Sequence, residues 1–313
     1  MLTSAPTSGL LRPADFATAF GERLSPYLNE RIDAYDFRYR TLAPGERDTW
    51  LRRVIDALLG PPLVRAGHDR INHWEAGWGE NLAALGAGFD PAALIPRYFG
   101  KFGVVRWCQD YIVPLQPLFE RNSLAVIQDW LFDKYARSAP AIYEFGCGTA
   151  HSLLRARDAN PRATLWGLDW AESSQAIIGR LNRLGVGGDI RGQRFNFFDP
   201  DPALSLEPGA IVYTSAALEQ TGSRFVSFID WLRAKRPALC IHIEPIAELL
   251  DESNLFDYLS VRYFEKRNYL SGFLAHLRAL EQDGLIDIHM ARRTSIGSLF
   301  IDGYSVVVWA PRP

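Results

Sequence analysis

Glu144, Gly146 and Gly148 stand in the run Ile142-Tyr143-Glu144-Phe145-Gly146-Cys147-Gly148-Thr149-Ala150-His151, where an apolar strand-like segment ends in an acid and turns through closely spaced glycines into a helix. Glycines at such a bend remove side-chain obstruction and let the backbone approach a ligand. Thr149 can cap the helix that follows, whose exposed amides favour a carboxylate or another anion. Glu144, at the strand end, is placed to hold an ammonium group directly or through water. Asp169 closes a second apolar run 23 residues beyond Gly146, where a carboxylate suits bidentate hydrogen bonding to vicinal ribose hydroxyls. An acid immediately before the turn disfavours a bridging pyrophosphate, and Ala150-His151 stand where a dinucleotide turn would continue toward another glycine. The lysine of a phosphate-binding loop is absent as well, which argues against nucleoside triphosphate hydrolysis. A ligand carrying an amine and a sulfonium fits better than one carrying two phosphates.

His242 and Glu244 form another polar pair, in Ile241-His242-Ile243-Glu244-Pro245. If the strand continues through Glu244, both side chains project to one face near its end. Histidine suits proton transfer near neutrality, with a carboxylate to orient it. The alternatives are a satisfied core histidine and an acid bound to a helix amino terminus. No third ligand accompanies the pair, and the three cysteines (Cys108, Cys147 and Cys240) lack metal-ligand spacing, so no metal is expected.

The elements that must position these groups fall into two kinds. Residues 1–137 read as helices separated by Pro and Gly: Pro13 to Tyr35, Glu46 to Leu59, His68 to Leu85 and Pro117 to Tyr135 carry apolar stripes at helical spacing. From about Pro140 short apolar runs alternate with helical stretches. Strands are expected at Ala141 to Phe145, Thr164 to Leu168, Arg194 to Phe198, Ala210 to Thr214, Ala238 to Ile243, Leu285 to Met290 and Tyr304 to Trp309. Helices are expected at Thr149 to Asp158, Glu172 to Leu184, Phe225 to Ala234 and Arg262 to Gln282. This alternation predicts an α/β fold with an open, mostly parallel sheet covered on both faces. The last two strands are joined too closely for a crossover helix and should pair antiparallel. The division is therefore an all-helical N-terminal domain (1–137), serving as substrate cap or oligomerisation domain, and a catalytic domain (138–313).

Composition narrows the function classes. A formal net charge of -2 and the lack of a basic run make nucleic acid an unexpected partner. No apolar stretch is long enough to span a bilayer, and the amino terminus does not read as a signal peptide. An odd number of scattered cysteines suits reduced thiols, and a cytoplasmic location is expected.

The motifs resemble those of the class I S-adenosylmethionine-dependent methyltransferases. Glu144-Phe145-Gly146-Cys147-Gly148-Thr149 is similar to their first motif, with Ala150 in place of the usual third glycine, and Leu165-Trp166-Gly167-Leu168-Asp169 is similar to their ribose-binding strand end. Phe197-Phe198-Asp199 looks like the segment flanking adenine. The resemblance implies a Rossmann-like seven-stranded sheet ending in an antiparallel hairpin, with S-adenosyl-L-methionine as cofactor and its methionine end near Glu144 to Gly148. It further implies Asp169 on the ribose, Trp170 and Phe198 against adenine, and Asp199 on its exocyclic amine. In that fold the segment Tyr213 to Gln220 borders both methionine and acceptor. Glu219 is then a candidate to orient the acceptor or take its proton, joined by His242 and Glu244. Aromatics of the helical part, among them Trp74, Trp78, Tyr98 and Trp107, could enclose a small or medium organic acceptor; the same helices could instead form a homodimer interface. RNA or protein methylation, a non-catalytic cofactor-binding regulator and a nicotinamide-dependent oxidoreductase are the competing readings.

Overall fold

The computed structural model describes residues 6–86 and 88–312. The chain begins β1 (Ser8–Leu10), α1 (Pro13–Phe20), α2 (Pro26–Asp33), β2 (Arg38–Thr41), α3 (Pro44–Leu59), α4 (Ile71–Ala84), β3 (Val105–Trp107), β4 (Asp110–Pro114) and α5 (Phe119–Leu131). It continues β5 (Ala141–Phe145), α6 (His151–Ala159), β6 (Thr164–Asp169), α7 (Glu172–Arg183), β7 (Ile190–Arg194), β8 (Ile211–Ser215), α8 (Val226–Lys235) and β9 (Leu239–Glu244). The last elements are α9 (Leu255–Arg267), α10 (Phe273–Gln282), β10 (Ile286–Arg292), β11 (Ile296–Gly297) and β12 (Ser305–Pro311). None of the described helices is long and apolar enough to cross a membrane.

Seven strands form one sheet in the order β10-β12-β9-β8-β5-β6-β7. From β9 through β7 every neighbouring pair is parallel, while β12 runs antiparallel to both β9 and β10. This is the Rossmann-like sheet with its closing antiparallel pair. All five residues of β5 are buried because both faces of the sheet are covered: Ala141, Tyr143 and Phe145 pack with Phe228 and Trp231 of α8, while Ile142 belongs to the core on the opposite face. A strand buried on both sides reads as a continuous apolar run, which is why it was visible in the sequence.

Three expectations need correction. The segment preceding the main sheet is largely helical but not all-helical. It contributes β1 to β4 to a second sheet ordered β1-β2-β4-β3-β11, whose last strand comes from beyond β10. These strands are two to five residues long, and Arg38-Tyr39-Arg40-Thr41 has no apolar alternation to betray it. The strand expected at Arg194 to Phe198 instead spans Ile190–Arg194. Beyond it the Asn196 side chain accepts the Phe198 amide at 3.0 Å, an Asx turn that bends the chain out of the sheet. Likewise the long helix expected at Arg262 to Gln282 is α9 and α10, separated where Asn268 and Gly272 adopt positive φ.

The main core runs across residue 137: Phe16, Phe20 and Trp130 belong to the same cluster as Ile142, Leu153 and Ile241. A buried ion cluster reinforces the union, with Asp129 of α5 accepting from Arg31 of α2 at 2.9 Å and from Arg155 of α6. The helical segments are therefore fixed on the sheet, which places α4 over the carboxyl ends of its strands.

Candidate functional site

After β5 the chain adds β6 and β7 on one side and then crosses to β8 on the other. Such a reversal of strand order leaves a crevice beyond the carboxyl ends. A cleft opens there. Gly146 follows β5, Asp169 and Trp170 end β6, Ala216 and Ala217 follow β8, and Trp74 and Trp78 of α4 form the roof.

The glycines of the turn are there for space. A Cβ on Gly146, whose φ is +76°, would overlap the Ala217 methyl, and one on Gly148, at φ +52°, would lie 2.9 Å from the Trp78 ring. The amides do not act as expected. Those of Gly146 and Cys147 both donate to the Leu168 carbonyl, and that of Gly148 donates to Asp169 Oδ2 at 2.9 Å. The turn is thus locked onto the end of β6, and these three donors are not free for a ligand. Thr149 also departs from its expected role. Its hydroxyl donates to the Leu94 carbonyl at 2.6 Å, and it makes no helix cap; the residue before α6 is Ala150, at φ +61°.

Asp169 lines the cleft with both carboxylate oxygens already accepting one backbone amide each, Gly148 on Oδ2 and Ala171 on Oδ1. Carboxylate oxygens carry further lone pairs, so acceptor capacity remains for a ligand hydroxyl. Burial lifts its pKa to about 6, against the lowering effect of those amides. Glu144 is buried behind the turn with Oε2 unpartnered, and burial raises its carboxyl to about 8.

The aromatic wall contains Trp170 and Phe198, their rings 6.0 Å apart and nearly parallel, with His68 edge-on to both. Asp199 is not brought into the cleft: it is exposed, in the turn after Phe198. Phe195 and Phe197 line the wall too, roles that their spacing did not single out. Nor was Glu75 legible. Its carboxylate accepts the Glu172 and Ser173 amides at 2.6 and 3.0 Å, capping α7 from across the cleft and holding α4 in place.

On the β8 side, Glu244 gathers the amides of Ala217, Leu218 and Glu219 at 3.0–3.2 Å. It anchors the short helical turn Leu218–Thr221 instead of facing a substrate. That turn sets Gln220 in the cleft wall, with its Nε2 donating to Glu219 Oε1 at 3.0 Å. Glu219 is buried behind Gln220, and desolvation, then the Glu244 charge, raises its carboxyl to about 8. Tyr263 and Tyr269 are within electrostatic reach of it.

His242 stays in the core. Its Nε2 accepts the Trp309 indole N–H at 3.0 Å; indole is donor only, so the proton of the neutral ring sits on Nδ1 and is donated to Thr214 Oγ1 at 3.0 Å. Burial holds its pKa down at about 3. Both nitrogens are consumed away from the cleft. A His242→Leu variant should therefore lose stability, not turnover per folded molecule: two buried partners are orphaned at about 1–3 kcal/mol each. Urea midpoints beside activity of the folded fraction check this.

No family model and no curated protein matches the chain. Among solved structures, it is similar to magnesium protoporphyrin IX methyltransferase from Synechocystis PCC 6803 with bound S-adenosylhomocysteine: 12% identity, 63% of this chain and 85% of that one, TM-score 0.46. It is also similar to NcsB1, an O-methyltransferase from neocarzinostatin biosynthesis (18% identity, 77% and 70% covered, TM-score 0.41), and to the mitomycin 7-O-methyltransferase MmcR (12%, 63% and 59%, TM-score 0.42). Similarity at this level assigns no activity, and the strand order and the cleft carry the functional reading instead.

Proposed function

We propose that the chain is an S-adenosylmethionine-dependent methyltransferase acting on a small or medium organic acceptor, at a hydroxyl whose proton must be removed. The observation that carries this reading is the convergence at one switch-point cleft of a glycine turn, a β6-end carboxylate and Gln220, which stands on the turn after β8 and hydrogen-bonds the buried acid Glu219 behind it.

The residues present fit the cofactor. Gly146 and Gly148 let Ala217 and Trp78 pack directly on the turn beside the cleft. The orphaned Glu144 Oε2 would accept its ammonium, directly or through water, and Asp169 its ribose diol. Trp170 and Phe198 offer faces for the base. When bound, the cofactor supplies an electrophilic methyl on a sulfonium, so the protein has to align the acceptor, remove its proton and exclude water. Glu219 is the proton acceptor, kept basic by burial and fixed by Gln220. Glu244 positions that turn without touching the acceptor, and Trp74 and Trp78 roof the cleft.

A 2′-phosphorylated nicotinamide dinucleotide is disfavoured by Glu75, whose carboxylate already occupies the α7 amino terminus where that phosphate would compete. The buried free thiols Cys147 and Cys240 suit a reducing, cytoplasmic compartment. The test is incubation with methyl-labelled S-adenosylmethionine and a panel of phenols and hydroxy acids, read by mass spectrometry. Label should appear on at least one hydroxyl; demethylated cofactor bound without transfer to any acceptor class would favour a regulatory role.

A further inference from the structure

Two neighbouring arginines near the cleft-lining Trp74 carry charge that no acid pairs within the described residues. Arg70 ends the short helical turn His68–Arg70 that leads into α4. It lies one helical turn before Trp74, so the two project from the same face. Arg267, the last residue of α9, reaches the same place from the other side. Its carbonyl accepts the Ala66 amide at 2.7 Å, and Asn268 Nδ2 donates to the Ala66 carbonyl at 3.0 Å, stitching the two segments together. Asn268 also packs on Gly222, two residues beyond the cleft-lining Gln220.

Arg70 and Arg267 are both half-buried, and among the described residues neither has an acid within ion-pair distance. Asp69, in the same turn as Arg70, pairs with neither, and Glu219 is within electrostatic but not hydrogen-bonding reach of Arg267. The Nε of each arginine is buried without a hydrogen-bond partner, and so is the Nε1 of Trp74. Three buried N–H donors thus lack acceptors around the cleft-lining Trp74: Arg70 and Arg267 are close enough to repel one another, and Arg267 spends only an Nη2 hydrogen on the Tyr269 hydroxyl, at 3.4 Å. Leaving such donors unmet is costly, and a set of them beside an unneutralised cationic pair suits an anion, ion or water that completes them.

We infer that Arg70 and Arg267, with the Trp74 indole, form a subsite for an oxyanion, a carboxylate or phosphate, carried by the methyl acceptor. The inference rests on the methyltransferase reading for the identity of the molecule that bears the anion. The cofactor's own carboxylate is not the occupant. Trp78 covers Gly148, where the methionine end would lie, and Arg70 stands eight residues earlier, just ahead of the first turn of the same helix, about 12 Å along its axis. Planar guanidinium groups present forked donors that match carboxylate and phosphate oxygens.

The test is calorimetric titration with inorganic phosphate and with benzoate at constant ionic strength, on the full chain alone and saturated with S-adenosylhomocysteine. At least one anion should bind saturably in both states, and the R70Q/R267Q double variant should weaken it tenfold or more. Tighter phosphate assigns a phosphorylated acceptor, tighter benzoate a carboxylated one. R70K/R267K should recover part of the affinity, and Arg236→Gln, on an exposed residue elsewhere, none of the loss. Equal affinity in the double variant, no saturable binding of either anion, or mutual exclusion with S-adenosylhomocysteine would overturn the subsite. Retained S-adenosylhomocysteine binding by the variants shows that they fold. If the parent protein binds phosphate but not S-adenosylhomocysteine, the methyltransferase reading fails and the anion site stands.

Discussion

Replacing Glu219 by Gln is expected to lower turnover by about two to four orders of magnitude, the range of general-base contributions, while leaving cofactor affinity within about twofold of the parent. The isostere keeps the shape of the turn, and Glu244 still holds its three amides. What is lost is the group that takes the proton. The pH profile supplies an independent readout. With the carboxyl raised to about 8, only its minor ionised fraction is active near neutrality, so kcat/KM should climb roughly tenfold per pH unit below that value and level off above it. In Glu219→Gln the climb should disappear. Stability runs the opposite way. The folded carboxyl keeps a proton that the unfolded chain gives up near its ordinary pKa of 4.5, so its contribution is complete below that pH and is lost as pH rises through about 8. The variant should therefore lose less stability than the parent between those limits, as read by thermal melts. Unchanged turnover with an unchanged profile would remove Glu219 from the chemistry.

Asp169→Asn is expected to weaken S-adenosylmethionine binding by about a hundredfold, the equivalent of roughly 2–3 kcal/mol for hydrogen bonds to a charged acceptor. An amide has only one oxygen, so either the Gly148 or the Ala171 amide must face its NH2 group, and the lock between the glycine turn and β6 is loosened. The fold should be retained, because the buried side chain also ceases to resist ionisation. Circular dichroism establishes folding and calorimetry the affinity. An unaltered dissociation constant would mean that the β6 carboxylate serves only the turn.

How much of this was legible depends on how local each signal was. β5, β6 and the glycine turn lie within about thirty residues of one another, and a doubly covered sheet leaves long apolar runs. The turn's need for glycine followed from backbone geometry alone. The destinations of the hydrogen bonds did not. The Gly148 amide goes to Asp169, Thr149 goes to Leu94, and Glu244 serves three amides nearly thirty residues upstream. His242 and Glu244 do share one face of β9, as their spacing required. That face turns toward Trp309 and Phe273, however, and only the final strand and α10 reveal this. Glu75, too, acts on a helix that starts about a hundred residues away. Asp199 was assigned through the likeness of Phe197-Phe198-Asp199 to the adenine-flanking segment; β7 ends at Arg194, and an Asx turn then carries Phe198 to the cleft and Asp199 to solvent.

Calorimetric titration of the purified chain with S-adenosylmethionine, its demethylated product and the two nicotinamide dinucleotides in parallel tests the assignment of the cleft most directly. Saturable binding of one S-adenosylmethionine per chain is predicted, competitive with the product, with no saturable heat from either dinucleotide. A chain that took up a dinucleotide, or gave no saturable heat with either form of the methyl donor, would contradict it.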